Sequence, residues 1–198
     1  MKDNNYSGNF VVVEGADGSG TTTQSKRLAE QLDAHWTCEP ADNMIGRKVD
    51  ELISGGEHDP ETVALSFAAD RMVHLEEEVI PRLEKGETVV CDRYYHSSLV
   101  YQPIMGADYD WVRELNRDAV KPDVTVILDV SADIGMSRVD SRGRDGNIFE
   151  DMDFQQQVVV RYRQLKDKLE EEVNLLDASR PIEDVYMELE DQSHFLTM

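Results

Sequence analysis

The chain has 198 residues, 41 acidic side chains against 20 basic ones and a formal net charge of −21, enough length for one domain with a sizeable core. Such a charge repels phosphate backbones and anionic lipid, so neither a nucleic acid nor a membrane is expected as a partner. No apolar run approaches bilayer-spanning length and Met1 to Asn5 form no apolar leader, which predicts a cytoplasmic location.

Residues 1–9 are polar and are expected to be flexible. Phe10 to Val13 are apolar and mostly β-branched, the pattern of a buried strand, and they run into a loop with glycine at 15, 18 and 20. Gln24, Leu28 and Leu32 recur every four residues, predicting a helix to about Asp33. A short strand from His35 to Cys38 ends at Glu39-Pro40, and helical spacing resumes from Met44 to Ile53, where Gly55-Gly56 stops it. A long helix is predicted from Pro60, a residue suited to the first helical position, with Leu65, Ala68, Ala69, Met72, Leu75, Val79 and Leu83 on one face. Pro81 falls in its last turns and Gly86 ends it. A strand at Thr88 to Cys91 follows, then a helical segment holding Ser97 to Gln102 and another from about Asp108 to Val120.

Val124 to Val130 is nearly all apolar and reads as a strand buried on both faces. Helical sequence leads from there to a polar, Gly-rich stretch at 141–152, and Asp153 with Gln156 predicts a capping box for the next helix. A last strand is expected at Val173 to Leu176 and a last helix at Pro181 to Leu189, leaving 191–198 as a loose tail. Strands alternating with helices predict an α/β fold: a mostly parallel five-stranded sheet covered on both faces, ligands lying at the C-terminal strand ends. Cys38 and Cys91 lack metal-ligand spacing, and a disulfide is not expected in a reducing compartment. Asp is abundant and Lys scarce relative to Arg, which suggests a high-salt cytoplasm where screening removes much of the self-repulsion.

The loop after the first strand carries the most specific signal. Gly15-Ala16-Asp17-Gly18-Ser19-Gly20-Thr21-Thr22-Thr23 fits the phosphate-binding pattern G-x-x-x-x-G-K-[ST] at every position but one. Its backbone N–H groups and the helix dipole favour an anion, and Thr22 is placed to offer its hydroxyl to Mg²⁺. Thr21 stands where the pattern has lysine. Asp92, at the end of a strand, is a natural partner for the same metal, with a helix N-cap as its bland alternative. Arg93 beside it can fork onto a phosphate, or simply pair with one of many carboxylates. Phe67 and Arg71 sit one turn apart on a helix face, where a ring can stack a base and a guanidinium bond its edge; taken alone, core packing for Phe67 and a salt bridge from Arg71 to an acid at i±4 explain them better.

Taken together these pieces resemble a known family. Phe10 to Gly20, then Glu39-Pro40, then Phe67-Ala68-Ala69-Asp70-Arg71, then Asp92-Arg93-Tyr94 with Ser98, Tyr101 and Gln102, form an ordered set similar to thymidylate kinase. Arg142-Gly143-Arg144 with Phe149-Glu150 resembles that family's lid, and Asp177 to Arg180 its adenine-side loop. The resemblance implies a three-layer P-loop kinase fold with a short lid. It also implies transfer of a phosphoryl group from ATP, with Mg²⁺, to dTMP, and a homodimer formed through the helix from Pro60.

By that resemblance Phe67 stacks on thymine and Arg71 bonds its edge, with Gln102 and Ser98 near the base. Tyr101 crowds the 2′ position of the sugar and Arg93 holds the acceptor phosphate. Asp17 and Glu39 line the acceptor site, and Arg180 belongs to the ATP side. The family carries its catalytic arginine either in the phosphate loop or in the lid. Gly18 occupies the loop position here, so Arg142 and Arg144 resemble the lid version.

Two departures stand out: Thr21 for the loop lysine, and Cys38 where the family often has arginine. The missing charge is expected from the lid arginines and a bound monovalent cation rather than from Lys26, which points off another helix face. A nucleotide-binding regulator without turnover, and a kinase for another deoxynucleoside monophosphate, are the alternative readings.

Overall fold

The computed structural model describes residues 1–55, 58–142, 149 and 151–193, with the side chains of all these but 142 and 193. Its centre is β1 (Phe10–Gly15), buried along its whole length. Alternate residues of a strand face opposite sides, so Phe10 and Val12 enter one core and Val11 and Val13 the other. Strand β1 pairs in parallel with β3 (Val89–Asp92) and with β4 (Val124–Asp129). Outside these lie β2 (His35–Cys38) and β5 (Val173–Asp177), also parallel, giving the order β2-β3-β1-β4-β5. The described sheet is all parallel rather than mostly so. Because the chain reverses its winding direction at β1, a crevice opens at the C-terminal ends of β1, β3 and β4.

On one face α1 (Thr21–Gln31) and α9 (Ile182–Ser193) pack Leu28, Ala29, Val185 and Leu189 against the sheet. The other face is covered by α3 (Pro60–His74), α5 (Tyr95–Met105) and α8 (Met152–Leu165). Shorter elements complete the chain: α2 (Met44–Ser54), α4 (Ile80–Leu83), α6 (Tyr109–Leu115) and α7 (Ala132–Arg142). Among the described residues no helix is long and apolar enough to cross a membrane.

Several local expectations are corrected. Residues 1–9 are tied down rather than loose: Lys2 N–H donates to Ala119 O at 2.9 Å and its own carbonyl accepts from Lys121 N–H at 2.7 Å. Asn4 adds a bond to Asp123 at 2.7 Å. The same bridge keeps Val120 extended, so α6 ends at Leu115, its last turn closed by Asn116 Nδ2 on Val112 O at 2.8 Å. The long helix is interrupted by a π turn at Leu75–Val79, where Ile80 N–H reaches Leu75 O. Pro81 has no N–H and its ring crowds the carbonyl four residues back, so a wider turn relieves the clash. The apolar stripe of α3 also divides: Ala68 and Leu75 are buried while Leu65 and Met72 are exposed. Helix α8 is capped by Asp151, which accepts from Phe154 N–H at 2.9 Å, two residues before the expected capping box. Most of the expected lid and tail lies outside the described residues.

Candidate active site

Sheet geometry fixes the phosphate loop first. Strand β1 delivers Gly15, and Gly20 caps α1 in a left-handed conformation, φ 99°, with no side chain bonding the helix's first N–H groups. Those donors are left for an anion. Gly18 has φ 75°, and a Cβ there would lie 2.1 Å from Gly135 O on α7. No arginine can occupy this position without displacing α7. Thr21, in the lysine's place, is buried at the helix start. The nearest basic residues on α1 are engaged elsewhere: Lys26 lies over the Trp36 ring at 4.4 Å and Arg27 pairs with Glu183 at 2.7 Å.

A cavity opens on each side of the loop. One, of about 170 Å³, is lined by Gly18, Ser19, Gly20 and Thr23 of the loop with Arg138 and Arg180 from beyond it. Arg138 was not foreseen. Its guanidinium donates to Gly18 O at 3.3 Å and Ala178 O at 3.1 Å, strapping the loop to the segment after β5. Arg180 donates to Asp177 O at 3.2 Å and also pairs with Glu188.

The second cavity, about 280 Å³, gathers residues from widely separated parts of the chain. Glu39, Phe67, Arg71, Arg93, Ser98, Tyr101 and Gln102 all line it, with Asp17, Thr22 and Asp92 at the end nearest the loop. Arg93 sits at φ 66°, left-handed for a residue with a side chain, its N–H held by Val13 O at 2.9 Å. Strained backbone of this kind persists where the surroundings over-determine it. From there the guanidinium reaches Asp17 Oδ1 at 2.8 Å and the Tyr101 hydroxyl at 3.3 Å. Burial works against its charge, but Tyr101 and Asp17 outweigh burial and raise the pKa further.

Gln155, from α8, completes this end. It donates to Asp17 Oδ2 at 2.8 Å and to Phe149 O at 2.9 Å, while accepting from Asp17 N–H at 3.3 Å. No motif singles it out. Tyr101 packs edge-on against Phe149 at 5.1 Å, narrowing the cavity.

At the deep end, Arg71 is buried and each of its three nitrogens has a partner. Nε donates to Glu39 Oε2 at 2.9 Å, one terminal nitrogen donates to Asn116 Oδ1, and the other to Ser98 Oγ at 3.3 Å. The partner carboxylate is thus neither of the i±4 residues that a helix salt bridge would use. Nη2 also lies 2.6 Å from Glu39 Oε2, so one Nη1 hydrogen remains for a ligand. His74 stands behind Glu39, with Nδ1 3.3 Å from Oε1 and Nε2 2.7 Å from Thr37 Oγ1. Burial opposes its charge, yet the hydrogen bond and charge of Glu39, with Glu78 beyond, raise its pKa. Gln102 Oε1 is buried and has no partner among the described residues. Burial, with Asp92 and Glu39 adding repulsion, pushes the Cys38 thiol up to about 11, so it stays protonated at neutral pH.

A divalent cation has a fitting pair of ligands. Thr22 Oγ1 donates to Asp92 Oδ2 at 2.5 Å, and Asp92 Oδ1 is buried without a partner among the described residues. A hydroxyl beside a carboxylate with a free oxygen suits a hard, oxygen-seeking ion such as Mg²⁺. The described residues contain no group of three or more His, Cys, Asp or Glu able to hold a metal by themselves, so phosphate oxygens and water would complete the shell. Arg144 and the side chain of Arg142 lie outside the described residues.

Comparison with known proteins adds an independent line. A family model described as thymidylate kinase matches residues 13–189. The chain is 40% identical over 184 residues to a probable thymidylate kinase of Methanocaldococcus jannaschii, covering 91% of this chain and 93% of that one. It is 37% identical over 193 residues to one of Pyrococcus abyssi, covering 92% and 94%. It is also 38% identical over 199 residues to one of Staphylothermus marinus, covering 96% of both.

Proposed function

The chain belongs to the thymidylate kinase family, and from that premise we propose that it transfers the γ-phosphoryl group of ATP to dTMP in the cytoplasm, giving dTDP and ADP. The observation that carries this reading is the Arg93–Asp17 contact, which joins the cavity holding Phe67 and Arg71 to the phosphate loop. A donor bound through the loop and an acceptor bound in that cavity meet at this contact.

Each group then has a task. Loop N–H groups hold the donor phosphates, and Arg180 with the adjoining cavity receives the adenine side. Phe67 stacks on the thymine while Arg71 donates to its edge; the unpartnered Gln102 Oε1 accepts from the ring N–H, and Ser98 keeps Arg71 in place. Tyr101 fills the space a 2′-hydroxyl would need. Arg93 holds the acceptor phosphate, oriented by Asp17, so that a phosphate oxygen attacks in line. Glu39 sets Arg71. Thr22 and Asp92 would hold Mg²⁺, whose charge offsets that of the β- and γ-phosphates. Arg142 and Arg144 of the lid neutralise the transferring group, which the loop cannot do without its lysine. No covalent intermediate on the protein is required.

The exposed Leu65 and Met72, two turns apart on α3, support a homodimer through that helix. Its solution mass by light scattering tests this. The acidic surface supports a medium of high ionic strength.

A coupled ADP-release assay with Mg²⁺-ATP against dTMP, dUMP, dCMP and CMP, at low and molar KCl, tests the assignment. Preferred turnover of dTMP is expected. Greater turnover of another monophosphate moves the substrate, and no turnover with any of them in either salt leaves a nucleotide-binding regulator.

A further inference from the structure

Helix α5 carries Ser98, Tyr101 and Gln102, yet it lacks a cap of its own: Tyr94 at the N-cap position makes no side-chain bond to the helix. The orphan N–H groups are met from β1. Glu14 Oε1 accepts from Tyr94 N–H at 2.7 Å and from Ser97 N–H at 3.2 Å. These are the two bonds of a capping box, the N-cap N–H and the third helical N–H. In an ordinary box two side chains of the same helix make them. Here one carboxylate, 80 residues away in sequence from Tyr94, makes both.

Its second oxygen is equally occupied. Oε2 accepts from Ser97 Oγ at 2.7 Å and from the Tyr162 hydroxyl at 2.8 Å. Glu14 is buried and has no Lys or Arg partner among the described residues; His96 Nδ1 lies 3.7 Å off. The charge therefore rests on four hydrogen bonds and on the positive end of α5. Next along the chain is Gly15, which opens the phosphate loop. Arg93 lies immediately before the capped turn, so its left-handed backbone is pinned on both sides, by Val13 O and by the Glu14 bond to Tyr94.

We infer that Glu14 is a positioning residue for phosphoryl transfer: it caps α5 from across the sheet and thereby sets the acceptor-binding side chains against the phosphate loop. It touches neither nucleotide. The donor side does not need it, because the loop is held by sheet pairing of Glu14 with Ile127 and of Gly15 with Leu128 through the backbone alone. This role rests on the proposed transfer to dTMP only for its kinetic readout.

The test combines steady-state kinetics with hydrogen exchange on the full chain. Glu14→Gln keeps a carbonyl acceptor but loses the charge, and should raise the KM for dTMP roughly tenfold; Glu14→Ala should raise it roughly a hundredfold. The KM for ATP should stay within about twofold, and Tyr162→Phe, which leaves both cap bonds intact, should change either constant less than Glu14→Gln does. Hydrogen exchange at the Ser97 amide should accelerate in Glu14→Ala while the amides of α1 do not. Parallel loss of dTMP and ATP binding, an unchanged dTMP constant, or equal effects in Tyr162→Phe would overturn the inference. If Glu14→Ala does not fold, Glu14→Asp, which keeps the charge but draws the carboxylate back by one methylene from the Tyr94 and Ser97 amides, carries the test. A smaller loss confined to dTMP then supports the inference, and no such loss sinks it. Wild type without dTMP turnover, together with selective exchange at Ser97 in the variant, would refute the proposed substrate and leave the cap standing.

Discussion

Arg71 Nη2 lies 2.6 Å from Glu39 Oε2, and the two side chains are 1% and 2% exposed. The pair joins α3 to the end of β2, so the base-binding end of the cavity is built around a desolvated charge pair rather than an apolar slot. Breaking such a pair from one side leaves a buried charge uncompensated, and that costs about 3–5 kcal/mol.

Arg71→Ala is therefore expected to act twice. It should lower stability by about 3–5 kcal/mol through the stranded Glu39, and it should weaken dTMP while leaving ATP binding intact. Denaturant unfolding and calorimetric titration of each nucleotide separate the two effects. Equal loss for both nucleotides would make Arg71 structural only.

Asp92→Asn is expected to raise the Mg²⁺ concentration for half-maximal rate, and Thr22→Ala to do so less. Losing a residue that only orients a metal ligand typically costs roughly 10- to 100-fold in affinity, so loss of a ligating carboxylate should cost at least that much. Thr22→Ala removes the Thr22–Asp92 bond, whereas the amide oxygen of Asp92→Asn can still accept it, so a larger effect of Asp92→Asn reports the lost carboxylate charge rather than the lost bond. Activity titrations with Mg²⁺ at saturating ATP and dTMP are the check; identical curves for the three proteins would remove these residues from the metal site.

Gly18 leaves no room for an arginine in the phosphate loop, which shifts the charge requirement to the lid. Replacing Arg142 and Arg144 together by Ala is expected to lower kcat by roughly 10³- to 10⁵-fold, the usual contribution of an arginine supplied to the transferring group. The dTMP dissociation constant should move far less. Near-normal turnover would take the lid out of the mechanism.

His74 links stability to pH. Its pKa is raised above the ordinary 6.5 because Glu39 and Glu78 outweigh burial; Asp70 lies beyond them, and His35 holds the other Glu78 oxygen at 2.6 Å. A raised histidine stabilises fully below its unfolded pKa, and that contribution is lost as pH climbs through the folded value. Wild-type Tm should thus fall more steeply than that of His74→Gln over the range from about pH 6.5 upward. Superimposable profiles would mean the ring is neutral throughout.

The missing loop lysine makes a salt prediction. With Lys26 on Trp36 and Arg27 on Glu183, a monovalent cation near Thr21 is the expected substitute. Wild-type kcat should rise with KCl over concentrations where circular dichroism shows full folding, and Thr21→Lys should flatten that rise. Parallel salt profiles would return the whole burden to the lid.

Much of this protein is legible along the chain. The strands are visible because burial on both faces demands nearly continuous apolar runs, as in Val124 to Leu128 with Thr125 its one polar member, and the phosphate loop because its glycines answer to backbone conformation alone. Candidate residues such as Phe67, Arg93 and Asp92 were found because each lies within a short motif. What folding decided is which polar groups meet. Arg71 pairs with Glu39 across 32 residues, Gln155 with Asp17 across 138, and Glu14 with Tyr94 across 80. The apolar stripe of α3 likewise sorts into buried and exposed faces only once α5 lies beside it. A side chain's period along its own segment tells how that segment meets a core. Its hydrogen-bond partner depends on where distant strand ends converge, and the order β2-β3-β1-β4-β5 determines that convergence.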